Sequence, residues 1–187
     1  MLKLKNFFIF IWDILKIIFL ALVIVVPIRY FLFQPFLVKG QSMEPTFQNS
    51  DYLIIDEISY RFREPGRGEV VVFKYPQNPS QRFIKRIVGL PGETVEIKDG
   101  EIIIIKDDKA QILNESSYLP KSLKTPGNLQ IALSENEYFV LGDNRRVSAD
   151  SRSWGSLPRE SIIGRVFFRA WPITALAFIE EPNYEAS

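Results

Sequence analysis

From Phe7 to Ile28 the chain reads FFIFIWDILKIIFLALVIVVPI, an apolar run interrupted only by Asp13 and Lys16. At ~1.5 Å per residue, a helix of this length reaches across a hydrocarbon core of roughly 30 Å. The run is therefore expected to form a transmembrane anchor over residues 7–33, and its register is open. Either Asp13 and Lys16, three apart on one helical face, pair within the span, or the span starts after Lys16 and runs past Arg29 to about Phe33. Lys3 and Lys5 precede the run. By the positive-inside bias, residues 1–6 are then cytoplasmic and residues 34–187 extracytoplasmic, on a cell membrane crossed once, although Arg29 weakens the charge asymmetry. The following RYFLFQPFLV is bulky throughout. It offers no small-x-small removal site, so the anchor is expected to stay attached. The competing assignment is a buried core helix, but such helices seldom run so long with so few polar positions.

Beyond the anchor, short runs rich in Val, Ile and Phe recur between turn signals: Tyr52 to Ile55, Val70 to Tyr75, Arg82 to Val88, Thr94 to Ile97, Ile102 to Ile105, Tyr138 to Leu141 and Ile162 to Phe168. These are strand lengths, not helix lengths. Pro91-Gly92 and Asp99-Gly100 punctuate them, and the second dipeptide, between VEIK and EIIII, predicts a hairpin turn. The polar stretch 106–130 contains Pro120, Pro126 and Gly127 and is expected to be a ribbon or loop excursion. The expected fold is all-β with one N-terminal transmembrane helix.

The chain has no Cys and no His among its 187 residues. That removes disulfides, thiolate nucleophiles, imidazole bases, the Ser-His-Asp triad and the HExxH zinc sites, leaving carboxylates, Lys and Tyr for proton transfer. A formal net charge of +1, with no Lys/Arg block, argues against a nucleic-acid partner.

Three segments can carry chemistry within those limits. Gly40-Gln41-Ser42-Met43-Glu44-Pro45-Thr46-Phe47 sets Ser42 in a turn-rich loop where it is either exposed or an ordinary cap serine; it is not a GxSxG elbow. In Arg82-Phe83-Ile84-Lys85-Arg86-Ile87-Val88, alternation sets Lys85 on one face with Phe83 and Ile87. A lysine there loses hydration and its pKa falls from ~10.4; the alternative is an edge-strand lysine. Arg86 stays charged and cannot act as a base. The third segment, Gly142 to Arg152 (GDNRRVSADSR), is a polar loop with two Asp/Arg pairs, structural or cation-binding in type but without EF-hand spacing.

In serial order these segments resemble the type I signal peptidase family: GQSMEPTF as the nucleophile box, RGEVVVF (Arg67 to Phe73) as a strand box, RFIKRIVGLPGE (Arg82 to Glu93) as the lysine box, and GDNRRVSADSR as the last. The resemblance implies an antiparallel β catalytic domain over residues 34–187, lying against the outer membrane face. It implies Ser42 as nucleophile and Lys85 as general base. Ser148 would orient the lysine, with Asp143, Arg145, Asp150 and Arg152 supporting the site. Phe36, Val38, Met43, Phe47, Phe83 and Ile84 match positions lining the family's shallow substrate pockets, where bulky apolar walls leave room only for small residues, as in an Ala-x-Ala site. The Ser42 N–H is the family's main oxyanion donor. Some members add a Ser two positions earlier, where this chain has Gly40. The implied partners are signal peptides of exported preproteins and the lipid bilayer; no cofactor or metal is implied.

The rivals are an organelle inner-membrane or thylakoid processing peptidase of the same family, an autocleaving repressor, and a membrane-tethered peptide-binding β domain. The endoplasmic-reticulum branch resembles a His-based site, which a chain without His cannot build. A repressor needs a DNA-binding helix-turn-helix where this chain has its apolar run.

Overall fold

A computed structural model describes residues 2–31, 33–182 and 184. Met1, Leu32, Asn183 and residues 185–187 lie outside it, and with them one position each of the expected 1–6 and 7–33 segments and four of the 34–187 segment. An N-terminal helix, α1 (Leu2–Phe31), precedes a body of antiparallel strands. These are β1 (Phe33–Leu37), β2 (Tyr52–Asp56), β3 (Val70–Tyr75), β4 (Asn78–Gly89), β5 (Thr94–Lys98), β6 (Glu101–Lys106), β7 (Lys109–Ile112), β8 (Leu129–Ala132), β9 (Glu137–Leu141), β10 (Leu157–Pro158), β11 (Ile162–Trp171) and β12 (Ala177–Phe178). A short helix, α2 (Ser151–Trp154), follows β9.

The expected transmembrane anchor over 7–33 is corrected. Among the described residues, no helix is long and apolar enough to cross a membrane. Asp13 and Lys16 pair at 3.3 Å within α1, and with Arg29 they cut the segment so that its longest uninterrupted apolar run is Ile17 to Ile28. That run is short of the ~20 residues a span needs. The single-pass topology and the cell-membrane location derived from that anchor are corrected with it. The antiparallel β part of the expected fold stands.

Two sheets form the body. The larger has the order β1-β2-β11-β3-β4-β9-β10, with β12 on β11; the smaller has the order β7-β6-β5-β8. Each predicted strand falls within β2, β3, β4, β5, β6, β9 or β11; β4 begins earlier than its predicted run, at Asn78, and β11 continues past its predicted end to Trp171. Asp99 and Gly100 both have positive φ (54° and 86°) and join β5 to β6 with Lys98 opposite Glu101, as a two-residue primed hairpin turn requires. The excursion 106–130 is partly ribbon: β7 pairs with β6, and β8 begins at its far end.

Alternation on β3 divides the core. Val70 and Val72 point into a cluster with Val38, Met43, Phe47, Leu53 and Ile84, while Val71 and Phe73 point to the opposite face with Tyr60, Ile87, Tyr138 and Leu157. A third cluster, including Val88, Val95, Ile97, Phe139 and Leu141, joins the smaller sheet to the larger. Each such side chain contributes roughly 1.5–3 kcal/mol on burial. The candidate residues are thereby carried between β4 and the segments that follow β1 and β9.

Candidate active site

The turn after β1 is nailed to the core by Met43 and Phe47, both 0% exposed, and closed by the Phe47 N–H donating to the Met43 carbonyl at 2.9 Å. With those two side chains directed inward, half-buried Ser42 is presented toward β4. There the Lys85 Nζ lies 2.8 Å from Ser42 Oγ. The amine also donates to the Ile84 carbonyl at 2.8 Å and sits 5.4 Å from the centre of the Phe83 ring. Lys85 is 4% exposed. Burial pushes its pKa down to about 8, against the opposing pull of the Asp150 and Asp143 carboxylates. About a tenth of the amine is therefore neutral at pH 7 and more as pH rises, and a neutral amine at this distance can take a hydroxyl proton.

The loop after β9 closes the site from the other side. Asn144 N–H donates to the Ser42 carbonyl at 3.0 Å. Asp143 accepts from Arg86 Nε (2.9 Å) and Nη2 (2.6 Å) and from Thr46 Oγ1 (2.5 Å), tying the lysine strand, the serine turn and this loop to one carboxylate. Asp150 caps α2, accepts from the Gly142 N–H (3.1 Å) and is gripped by Arg152 Nε and Nη2, each at 2.8 Å. Arg145 donates to the Gly142 carbonyl (3.1 Å), to Glu115 Oε2 (2.7 Å) and to Thr125 Oγ1 (2.5 Å). Ser148 Oγ is buried against Gly142, and among the described residues it has no hydrogen-bond partner.

A cleft of ≈ 860 Å³ opens beside Ser42 and Lys85. Phe36, Phe83 and Ile84 line it, together with Val147 and Ala149. Val38, Met43 and Phe47 do not; they are buried in the core behind it. No group of His, Cys, Asp and Glu among the described residues could hold a metal ion.

Sequence reasoning missed Thr46, Glu115, Thr125 and the pairing of Arg86 with Asp143. Arg86 was visible as the neighbour of Lys85, but its partner lies 57 residues away. Glu115 and Thr125 sit in a polar stretch without periodicity and gave no signal.

Fold and cleft together define a β-sheet hydrolase that must work without imidazole. The chain belongs to the signal peptidase, peptidase S26 family, whose model matches residues 11–171, and it is a signal peptidase I-type serine endopeptidase. It is 37% identical over 166 residues to a probable signal peptidase I-2 of Synechocystis, covering 86% of this chain and 73% of that one. It is 38% identical over 179 residues to a signal peptidase I of Leptolyngbya laminosa, covering 90% and 83%. To the chloroplastic thylakoidal processing peptidase 1 of Arabidopsis thaliana it is 35% identical over 169 residues, covering 84% of this chain and 47% of the relative. Membership makes signal peptides its general substrate class.

Proposed function

We propose that residues 34–187 form the catalytic unit of an endopeptidase that removes N-terminal signal peptides from exported preproteins after a small-x-small site, with Ser42 as nucleophile and Lys85 as general base. The observation that carries this reading is the 2.8 Å separation of a buried lysine amine and a serine hydroxyl beside an open cleft. The neutral amine takes the hydroxyl proton as Ser42 Oγ bonds to the scissile carbonyl carbon, and the resulting ammonium gives that proton to the departing amine nitrogen. Water then attacks the acyl-serine ester, losing a proton to the same lysine, and the proton returns to Ser42 Oγ as the ester breaks. The Ser42 N–H stabilises the oxyanion, a donation worth ~2.7–4 kcal/mol. Ser148 is assigned to directing the amine when substrate is bound; in this structure its buried hydroxyl bonds neither Lys85 nor any other described residue. Asp143, Arg145, Asp150 and Arg152 fix the loop that carries it. Phe36, Phe83 and Ile84 restrict the cleft to small residues, and Val38, Met43 and Phe47 set the position of its floor from behind.

Cleavage of a purified preprotein bearing an Ala-x-Ala site, by wild type, Ser42→Ala and Lys85→Ala, tests this. Site-specific cleavage by wild type alone supports it; cleavage retained by either folded variant removes the assignment. A second reading, an organellar or thylakoid processing peptidase of the same family, is favoured by the 35% identity to the Arabidopsis protein and is separated by offering thylakoid-transfer and export leaders in competition.

A further inference from the structure

The in-plane donors of Arg86 are engaged on several sides: Nε and Nη2 on Asp143, Nη1 on the Gly68 carbonyl at 2.7 Å, and Nη2 also on Thr46 at 3.4 Å. These bonds set the plane of the guanidinium, and whatever covers its face keeps water from competing for them. That cover is Tyr118, whose ring centre lies 4.0 Å from Arg86 Cζ. A guanidinium on an aromatic face is held by cation–π attraction and stacking together.

Tyr118 is itself held at both ends. Its backbone belongs to the turn closed by the Leu119 N–H on the Glu115 carbonyl at 2.9 Å and anchored by buried Leu119. Its hydroxyl donates to the Glu115 carboxylate and accepts from Tyr184 OH at 3.2 Å. The same Glu115 carboxylate grips Arg145, which holds the Gly142 carbonyl. Burial beside Glu115 pushes the Tyr118 hydroxyl pKa well up, so it remains a donor at any working pH.

We infer that Tyr118 is a positioning residue: by covering Arg86 while its hydroxyl shares Glu115 with Arg145, it locks the lysine strand to the loop after β9 and makes the 106–130 excursion part of the catalytic apparatus. The inference rests on the reading of Ser42 and Lys85 as the reacting pair. The Lys85 amine faces the Ser42 hydroxyl from the serine turn, and Asp143 and Asp150 from the loop, each carboxylate neutralised by its own arginine, Arg86 or Arg152. When the ring is removed water reaches the guanidinium and weakens its bonds to Asp143, Asp143 is less well neutralised, and the amine holds its proton to higher pH.

The test is kcat and KM for preprotein cleavage from pH 6 to 10 by wild type, Tyr118→Leu and Tyr118→Phe, with Ser42→Ala alongside. Tyr118→Leu is expected to lower kcat about tenfold, to leave KM within about twofold and to move the rising limb of kcat about half a pH unit toward alkali. Tyr118→Phe, which keeps the ring but gives up the hydroxyl's bonds to Glu115 and Tyr184, is expected to fall between Tyr118→Leu and wild type, about threefold below wild type in kcat. A folded Tyr118→Leu with wild-type kcat and limb overturns the inference, as does a fall in thermal stability with no change in either. If Tyr118→Leu does not melt cooperatively, Tyr184→Phe decides. It deletes only the hydroxyl holding Tyr118 from outside, and a two- to threefold fall in kcat with an alkaline shift supports the inference, whereas no change overturns it. Failure of the underlying reading is distinct: wild type does not cleave, or Ser42→Ala does.

Discussion

The Lys85 amine and the Ser42 hydroxyl lie 2.8 Å apart although they are 43 residues apart in sequence. Substitution at either residue separates chemistry from fold. Lys85→Ala and Ser42→Ala are expected to lower kcat by at least about a thousandfold while circular dichroism and cooperative melting persist. Lys85→Arg is expected to be as inactive as Lys85→Ala, because a guanidinium does not become neutral in the working range.

The amine's environment fixes a pH dependence. With a folded-state pKa of about 8 against an ordinary 10.5, the active neutral form accumulates as pH rises, so kcat/KM should climb with a midpoint near 8. Initial rates across pH 6–10 check this. A midpoint above 10 would show an unperturbed lysine.

The same depression has a stability sign. Between pH 8 and 10.5 the unfolded chain binds more protons at this site, so stability rises with pH through that window, and below it the cost of the buried ammonium is fully present. Lys85→Met should therefore be more stable than wild type at pH 7, by on the order of 2 kcal/mol. The advantage should vanish near pH 11 in urea titrations.

Arg86 and Asp143 have side chains only 2% and 0% exposed. Asp143→Asn leaves a buried guanidinium without its counter-charge and should cost roughly 3–5 kcal/mol in denaturant melts. It should also release Thr46, whose hydroxyl uses the same carboxylate.

At Gly142 a Cβ atom would stand 2.5 Å from the Ser42 carbonyl oxygen and also collide with Ser148 Oγ. Gly142→Ala is expected to cost ~1–3 kcal/mol of stability. By displacing the serine turn it should lower kcat far more than it raises KM, which steady-state kinetics resolve.

Much of this was legible in the residues. Short runs rich in Val, Ile and Phe between turn signals located β2, β3, β4, β5, β6, β9 and β11, and alternation within β4 set Lys85 on one face with Phe83 and Ile87. The short edge strand β7 was not legible, since every residue from Lys109 to Ile112 is exposed and an all-solvent strand has no hydrophobic rhythm. Strand β1 was hidden because Phe33–Leu37 reads FQPFL, with no run of β-branched residues and a Pro in its middle. Hydropathy likewise overcounted α1, averaging across charges that interrupt it. At the cleft, residue type alone could not distinguish a wall from its foundation. Phe36, Phe83 and Ile84 line the opening, whereas Val38, Met43 and Phe47, equally apolar, lie beneath it.

The hairpin between β6 and β7 turns through Asp107 and Asp108, both at positive φ, ahead of the points at which Glu115 and Thr125 fasten the excursion to Arg145. Those fastenings divide the segment into a free tip and a fixed base. Chain length can vary at the tip without register or tension reaching Arg145, so a tag or short domain inserted between Asp107 and Asp108 makes a handle for immobilising the enzyme with its cleft still in working order.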